Sequence, residues 1–337
     1  MKGDAPEVSI LLPVFDAATT LPACLRSITR QSLSDWECLL VDDGSTDASG
    51  ALADAAAAAD SRIHVITTTH RGLVSALNTG LARCRGRYVA RMDADDCMHR
   101  HRLALQAAAL GSAPELAAVG AHIRFFPTPS MRDGMRRYEQ WLNGMESAED
   151  VRANAFIECP IAHPTLFVRR EILVDHGYRD LGWPEDFDLF LRLHTAGHEI
   201  AVVPRRLLAK RCGPERLSLS SPAYGVDRFT MCRAAHLADS FLAGSDRYVL
   251  WGYGRTGRTL QRALAKAGKT PAAIVEVHPR RLGNTIQGAP VIAPDELREW
   301  RHLPLVASVA GDPAREKIRA ALGEMGYREL DDFVCAA

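Results

Sequence analysis

The sequence predicts an α/β protein with a mostly parallel sheet, helices on both faces of that sheet, and a second, smaller α/β domain. Three observations lead to this fold class. Apolar segments of strand length alternate with helical patterns along the first part of the chain. The first of these segments, residues 8–15, is apolar almost throughout, as strands buried on both faces are. A chain of 337 residues also exceeds one ordinary core, so two domains are expected.

The first part of the chain supplies a regular series of elements. Leu21, Leu25 and Ile28 have helical spacing, and the turn at residues 44–47 offers an N-cap to the alanine-rich helix that follows it. Strands are predicted at residues 8–15, 36–41, 63–68 and 88–92, and helices at residues 21–31, 48–59 and 73–84.

The pattern is less regular between residues 126 and 159, where Pro127 and Pro129 interrupt it. Pro184 is suited to the first position of a helix that ends near Thr195. Beyond residue 126 we expect a short helix at 135–143, strands at 165–168 and 200–203, a turn-rich stretch at 211–224 and a helix at 226–241.

A second strand–turn–helix unit starts after Gly244, so the predicted domains are residues 1–244 and 245–337. It consists of a strand at 247–251, a glycine-rich turn, a helix at 258–267 and a strand at 273–277. The two units share only the general alternation of strands and helices, and no fixed-period repeat is visible.

Composition excludes several classes of protein. Lys and Arg number 41, as do Asp and Glu, so the zero net charge gives no support to a nucleic-acid-binding protein. The eight cysteines lack zinc-ligand spacing. The chain shows neither a secretory signal nor an apolar run of the ~20 residues that a membrane span needs. We therefore expect a cytoplasmic protein, and docking at the inner face of the membrane is compatible with this expectation.

Three carboxylates, Asp93, Asp95 and Asp96, follow the strand at 88–92. Their mutual repulsion is offset where a divalent cation or a hydrogen-bonding ligand lies between them. Oxygen ligands suit Mg²⁺ or Mn²⁺, and the carboxyl ends of parallel strands are where ligands bind in open α/β sheets. The alternative is a solvated acidic turn that caps the next helix.

A second acidic pair, Asp42 and Asp43, ends the strand at 36–41, and Gly44 allows the backbone to turn sharply there. A carboxylate at this point can accept a hydrogen bond from a base or a sugar hydroxyl. The alternative is that the turn only caps the following helix, and the two roles can coexist because they use different residues.

Four motifs in this order resemble family 2 glycosyltransferases of the GT-A fold: VSILLPVFDA, VDDGSTD, GLVSALNTGLARCRGRYVARMDADD and PEDFDLFLRL. The resemblance covers residues 7–220. It implies a sugar transfer from a nucleotide-diphosphate sugar, with UDP as the expected nucleotide, in cell-envelope polysaccharide biosynthesis.

The resemblance also assigns residues. It implies donor-binding roles for Pro13, Val14, Phe15, Asp16, Asp43, Arg71 and Asp93. Asp95 would bind the metal, Mg²⁺ or Mn²⁺, with Asp93 on the ribose or a metal-bound water. Asp43 would bond the pyrimidine ring.

On the acceptor side, the resemblance implies that Asp186 is the general base of an inverting reaction, next to Glu185, while His163 lines the acceptor side. The helix dipole favours the ionised form of a carboxylate in a first turn. The alternative readings are that Glu185 and Asp186 only stabilise a helix start and that His163 is structural. Many relatives carry an aromatic-Arg-x-His segment where this chain has AKRCG at residues 209–213, so the histidine is absent and Arg211 is left for phosphate binding.

The C-terminal unit contains Gly252, Gly254 and Gly257 between a strand and a helix, and Glu276 ends the next strand. This is the context of a dinucleotide-binding turn. The roughly 90 residues amount to half a full dinucleotide fold. The later IQGAPVIAPDEL segment resembles the small Rossmann-like domain of sugar acyltransferases, which implies either a nucleotide pocket or a domain kept for assembly.

The leading interpretation is an inverting glycosyltransferase with a nucleotide-sugar donor and a glycan or lipid-linked acceptor. Homo-oligomer formation through the C-terminal domain is compatible with it. Two alternatives are a non-catalytic nucleotide-sugar sensor or scaffold and a sugar-nucleotide oxidoreductase that uses the C-terminal domain. The joint presence of Asp93, Asp95 and Asp186 argues against the sensor, and the short C-terminal unit argues against the oxidoreductase.

Overall fold

A computed structural model describes residues 5–127, 133–213 and 221–337. Packing divides the chain into two compact units. The first contains Met1–Val151, Pro160–Leu181 and Ala196–Leu219, and the second contains Arg152–Cys159, Gly182–Thr195 and Ser220–Ala337. A domain boundary at residues 244 and 245 stays a prediction.

The first unit is built on one sheet of eight strands, and the second on a sheet of six. The strands are β1 Val8–Val14, β2 Trp36–Asp42, β3 Ile63–Thr67, β4 Tyr88–Arg91, β5 Cys97–Met98, β6 Leu116–Phe126, β7 Phe167–Arg169, β8 Glu199–Arg211, β9 Arg247–Trp251, β10 Thr270–Val275, β11 Thr285–Ile286, β12 Ala289–Ile292, β13 Leu305–Ala307 and β14 Phe333–Cys335.

Helices connect most of these strands. They are α1 Leu21–Thr29, α2 Ser49–Ala59, α3 Leu73–Leu81, α4 Arg102–Ser112, α5 Asp133–Leu142, α6 Ala148–Ala153, α7 Arg170–His176, α8 Glu185–Thr195, α9 Val226–Asp239, α10 Arg255–Lys266 and α11 Asp312–Glu324. Short 3₁₀ segments lie at His163–Thr165, Pro222–Tyr224 and Pro294–Trp300.

The strand order of the large sheet is β3-β2-β1-β4-β7-β6-β8-β5. Its first four strands are mutually parallel, whereas β7 pairs antiparallel with both of its neighbours. Val14 lies opposite Asp42, and Asp42 lies opposite Thr67. The loops that follow β1, β2, β3 and β4 therefore leave the sheet at the same edge, which confirms the predicted mostly parallel α/β sheet.

The core of the first unit explains why these segments form strands. Every residue of β1 and β2 is buried, as a sheet covered on both faces requires. Leu21, Leu25 and Ile28 of α1 turn toward the sheet and are buried, as their spacing predicts.

A polar network lies at the amino end of β1 and β2. The Glu37 carboxylate accepts a hydrogen bond of 2.6 Å from Ser9 Oγ and bonds of 2.6 and 2.9 Å from the Arg85 guanidinium. Burial opposes ionisation of Glu37, but the bonds from Ser9 and Arg85 outweigh it and lower its pKa. The network fixes the strand ends opposite the ligand-binding edge.

The structure extends the prediction in the middle of the chain. β6 occupies Leu116–Phe126, a segment with no predicted strand, and β8 continues to Arg211 rather than ending near residue 203. The two strands pair in parallel from Leu116 to Phe126 through three register shifts. Part of the turn-rich prediction at 211–224 falls on residues 214–220, which lie outside the described residues.

The second unit has a sheet ordered β11-β12-β10-β9-β13-β14, parallel except at the β11–β12 pair. The predicted helix is present as α8, which packs with α9; it begins at Glu185, so Pro184 directly precedes the helix instead of occupying its first position. Among the described residues, every helix is too short or too polar to cross a lipid bilayer.

Candidate active site

The loop after β1 carries an aromatic side chain at the ligand-binding edge. Phe15 is 45% exposed, and its ring stacks on the His70 imidazole at a centroid distance of 4.0 Å and an interplanar angle of 24°. His70 follows β3, two strands away in the sheet. An exposed ring supported in this way is suited to pack against a planar base.

Asp16, in the loop after β1, forms hydrogen bonds with the turn after β2. Its backbone adopts a left-handed φ of 45°, and its carboxylate accepts hydrogen bonds from the backbone N–H groups of Thr46, at 2.7 Å, and Asp47, at 3.3 Å. Ser45 Oγ accepts a bond from the Asp16 N–H. Asp16 therefore joins the loop after β1 to the turn after β2, and its predicted donor-binding role stays a prediction.

Asp43 is buried, and its carboxylate holds the loop after β3. It accepts hydrogen bonds from the N–H groups of Arg71 and Gly72, at 3.0 and 2.8 Å, and from Thr68 Oγ1. His70 Nδ1 lies 2.9 Å from the same carboxylate. The predicted donor residues Asp43 and Arg71 are thus brought together, with Arg71 contributing its backbone while its side chain stays exposed.

Asp93, Asp95 and Asp96 form a carboxylate cluster after β4. One oxygen from each carboxylate lies within 4.8 Å of the others. Arg91, the last residue of β4, pairs with Asp93. Arg211, the last residue of β8, holds the loop that carries the cluster. Its backbone N–H donates to Asp96 Oδ1 at 2.7 Å, and its Nε donates to the Asp95 carbonyl oxygen at 2.9 Å.

Two of the three carboxylates, Asp93 and Asp96, differ in proton affinity. Burial opposes ionisation of Asp93, but the nearby Arg91 and Lys210 outweigh it and hold the pKa of Asp93 well below its ordinary range. Burial raises the pKa of Asp96 to about 7; Lys210 opposes the rise, and the charges of Asp93 and Asp95 add to it. The cluster thus contains a strongly acidic and a weakly acidic carboxyl.

The cluster fits a divalent cation. Its ligand atoms are all oxygens, as Mg²⁺ and Mn²⁺ prefer. Within the described part of the chain, the buried Asp96 Oδ2 accepts no hydrogen bond, so a lone pair is left that a cation can use. Asp93, Asp95 and Asp96 are therefore the residues that would hold it.

His163 belongs to the same unit. It is buried, its Nε2 lies 3.1 Å from the hydroxyl of Tyr178, and its charge lowers the pKa of Asp93 when it is protonated. Pro13 and Val14 are the last residues of β1; both are buried and directly precede Phe15.

In the second unit, Glu185 and Asp186 occupy the first turn of α8. Asp186 Oδ1 accepts a hydrogen bond of 2.7 Å from the Phe187 N–H, and the buried Glu185 accepts one from the Tyr224 hydroxyl. Burial raises the pKa of Glu158. Arg233 opposes the rise, and the charge of Asp186 adds to it. The N-terminal end of a helix carries partial positive charge, which favours the ionised form of a carboxylate in its first turn.

The glycine turn of the second unit has three distinct positions. Gly252 has a left-handed φ of 95°, and a Cβ on Gly257 would clash with the carbonyl oxygen of Gly252. At Gly254, no heavy atom of the described residues lies within 4 Å of an added Cβ. Glu276 Oε1 accepts bonds from Tyr253 N–H, at 3.0 Å, and from Arg281, at 2.7 Å. The predicted nucleotide site here stays a prediction.

Sequence reasoning assigned no role to two residues of this site, His70 and Lys210. His70 stands in the segment TTTHRG after a strand, where its position at the ligand-binding edge was the available signal. Lys210 lies in the segment that departs from the family pattern, and its Nζ lies 3.4 Å from Asp93 Oδ2.

The chain is similar in sequence to two bacterial polysaccharide-biosynthesis proteins. The chain is 32% identical over 239 residues to the O-antigen biosynthesis protein RfbC of Myxococcus xanthus, which is 69% of this chain and 18% of that protein. It is 29% identical over 214 residues to the amylovoran biosynthesis glycosyltransferase AmsE of Erwinia amylovora, which is 62% of this chain and 78% of that one. The chain thus spans less than a fifth of RfbC.

Solved structures share the fold. TarS residues 1–349 of S. aureus in complex with UDP superposes with a TM-score of 0.55 at 16% identity, over 77% of this chain and 70% of that one. The mannosyltransferase PcManGT of Pyrobaculum calidifontis, in complex with GDP-Man and Mn²⁺, gives 0.52 at 18% identity, over 97% and 82%. These likenesses support the GT-A fold expected from the sequence.

Residues 9–177, half of the chain, match the family model described as Glycosyl transferase family 2. This segment contains β1 to β4, the Phe15 and Asp43 loops and the carboxylate cluster. The chain belongs to glycosyltransferase family 2.

Proposed function

We propose that the protein transfers a sugar from a nucleoside diphosphate sugar, with UDP as the nucleotide, to an acceptor hydroxyl with inversion of configuration. The observation that carries this proposal is the carboxylate cluster after β4, at the sheet edge that also presents Phe15 and Asp43. Family membership and the likeness to TarS, which was solved with UDP, support it.

On the donor side, the proposal gives each residue a task. The exposed Phe15 ring, backed by His70, packs against the base, and the loop held by Asp43 presents Arg71 toward the nucleotide. Pro13 and Val14 form the floor of the donor site, and Asp16 joins the loop after β1 to the turn after β2. Asp93 and Asp95 face the diphosphate and ribose. A bound Mg²⁺ or Mn²⁺ supplies positive charge against the leaving diphosphate, and PcManGT, which was solved with Mn²⁺, supports this cofactor.

On the acceptor side, Asp186 takes the proton of the attacking hydroxyl. The new bond forms at the anomeric carbon on the face opposite the diphosphate, the bond from that carbon to the phosphate oxygen breaks, and the electron pair leaves with the diphosphate. Asp186 is suited to this role because it lies in the first turn of α8, where the helix dipole favours the ionised form that a base needs. Glu185, tied to Tyr224, fixes this turn, and His163 lines the acceptor side.

The acceptor is proposed to be a glycan or a lipid-linked saccharide of the cell envelope. RfbC and AmsE are named for O-antigen and amylovoran biosynthesis, which supports this choice. Docking at the inner face of the membrane and homo-oligomer formation through the second unit stay predictions.

A donor screen tests the proposal. The full chain is incubated with UDP-, GDP- and dTDP-sugars in the presence of Mn²⁺ or Mg²⁺, and slow hydrolysis of the donor is measured. Hydrolysis of one class of donor, lost in Asp95→Asn, is the expected result. If no nucleotide sugar is hydrolysed and none binds, the protein is not a transferase of this kind.

A further inference from the structure

Two neighbouring strands place Lys210 against the carboxylate cluster. β8 pairs antiparallel with β5, so that Ala209 lies opposite Cys97, the residue directly after Asp96. Lys210 Nζ therefore lies 3.4 Å from Asp93 Oδ2 and 3.7 Å from Asp96 Oδ2. Only 13% of the Lys210 side chain is exposed, so solvent screens these ion pairs weakly.

Cationic side chains other than Lys210 also lie around the carboxylate cluster. Arg91 pairs with Asp93. Arg102 is fully buried beneath them; burial lowers its pKa to about 9, opposed by Asp96 and Asp93, and it stays protonated at neutral pH. Arg91 and Lys210 thus pair directly with carboxylates of the cluster, whereas Arg102 bonds to the Arg91 carbonyl oxygen. Of these cations, Lys210 is the one carried by the segment that departs from the family pattern.

We propose that Lys210 is a built-in cation of the donor site, which binds the diphosphate of the nucleotide directly and weakens the binding of a divalent metal to the cluster. This inference rests on the proposed function, because it takes the diphosphate to bind at this cluster. An ammonium group has three N–H donors. Among the described residues, Lys210 Nζ donates a hydrogen bond to Asp93 Oδ2 at 3.4 Å, whereas Asp96 Oδ2, at 3.7 Å, lies beyond hydrogen-bond distance, so donor capacity is left for a phosphate oxygen.

The effect on the metal follows from like charges. A divalent cation held by Asp93 and Asp96 lies close to the ammonium of Lys210, and the shielded site reduces screening of their repulsion. Removal of the lysine charge should therefore tighten metal binding by at least about tenfold. The same removal should weaken metal-free nucleotide binding by a similar factor, because a charged hydrogen bond is lost.

The experiment measures binding by the full chain rather than turnover. Mn²⁺ affinity is measured by electron paramagnetic resonance, and the affinities for UDP and GDP in EDTA are measured by calorimetry. The variants are Lys210→Met, which removes the charge, Lys210→Gln, which keeps a polar group, and Lys210→Arg, which keeps the charge. Lys317→Met is the matched control, since Lys317 is an exposed lysine on α11 of the second unit. Melting temperatures show that each variant is folded.

Lys210→Met and Lys210→Gln should bind Mn²⁺ at least about tenfold more tightly and lose most nucleotide affinity in EDTA, while Lys210→Arg and Lys317→Met stay near the unmodified protein. The inference is overturned if Mn²⁺ affinity does not change or if the unmodified protein binds no nucleotide in EDTA. Absence of nucleotide binding even with Mn²⁺ would instead refute the proposed function, and the Mn²⁺ measurement would still test the charge effect.

Discussion

Replacement of Asp186 by Asn separates the proposed base from a carboxylate that only stabilises a helix. The Asp186 Oδ1 atom accepts a hydrogen bond of 2.7 Å from the Phe187 N–H, and the carbonyl oxygen of an asparagine can accept the same bond. The fold of the α8 start should therefore be kept. What the variant loses is the ability to take a proton and one negative charge at the helix start.

The two losses differ greatly in size. Loss of a charge in a first helical turn costs about 0.3–1 kcal/mol of stability. Loss of a general base lowers turnover by about 10²–10⁴-fold, which corresponds to about 3–5 kcal/mol in the activation free energy. The assay is steady-state transfer with the donor identified by the screen, together with nucleotide affinity by calorimetry. We expect a low kcat and unchanged donor affinity.

Asp227→Asn is the matched control. Asp227 is an exposed carboxylate in the first turn of α9, in the same unit, so its replacement removes the same charge from a comparable helix start. It should change stability to a similar extent and leave kcat alone. If Asp186→Asn reduces donor affinity instead of kcat, or if both variants have equal activity, Asp186 is not the acceptor base.

Three further predictions concern other parts of the chain. Asp95→Asn should abolish transfer and greatly weaken Mn²⁺-dependent nucleotide binding, and near-normal activity at low Mn²⁺ would refute its role as a metal ligand. Gly254→Val should keep the fold, since its φ is −72° and the space around it is open, but should remove NAD or UDP-sugar binding by the second unit in calorimetry; Gly257→Ala should destabilise that unit. If the unmodified chain shows no such binding beyond the donor site, the turn is structural. Glu37→Gln should lower the unfolding free energy by about 1–3 kcal/mol at pH 7. Because the pKa of Glu37 is lowered by folding, this stability is present above its ordinary pKa and is lost as pH falls, so the two proteins should converge in denaturant melts at acidic pH.

The strands that lead to the ligand-binding edge could be predicted because their signal is local. β1 and β2 are apolar except for Ser9, Glu37 and Asp42, and α1 shows its buried face in the helical spacing of its apolar residues. β6 and the length of β8 could not be predicted in the same way. These strands pair with each other through shifted registers, and their polar residues, such as Arg124 and Arg206, hide the strand pattern.

The residues of the candidate site likewise divide into those that a local sequence pattern predicts and those that it does not. Asp93 and Asp95 could be predicted from their place after an apolar strand, since a carboxylate cluster is visible within four residues. The contact of Lys210 with Asp93 joins residues 117 positions apart and depends on the β5–β8 register. The partners of Asp43 likewise lie 25 to 29 positions further along the chain. No local pattern encodes these distances.

The stack of Phe15 on His70 gives the protein an internal spectroscopic reporter. At a centroid distance of 4.0 Å, the ring current of Phe15 shields the carbon-bound protons of the imidazole and moves their resonances away from those of the other eleven histidines. A planar molecule that lands on the exposed face of Phe15 adds a second ring current and displaces the same signals. Occupancy of this edge of the sheet can therefore be followed in one-dimensional proton spectra, without isotope labelling, turnover or an identified acceptor.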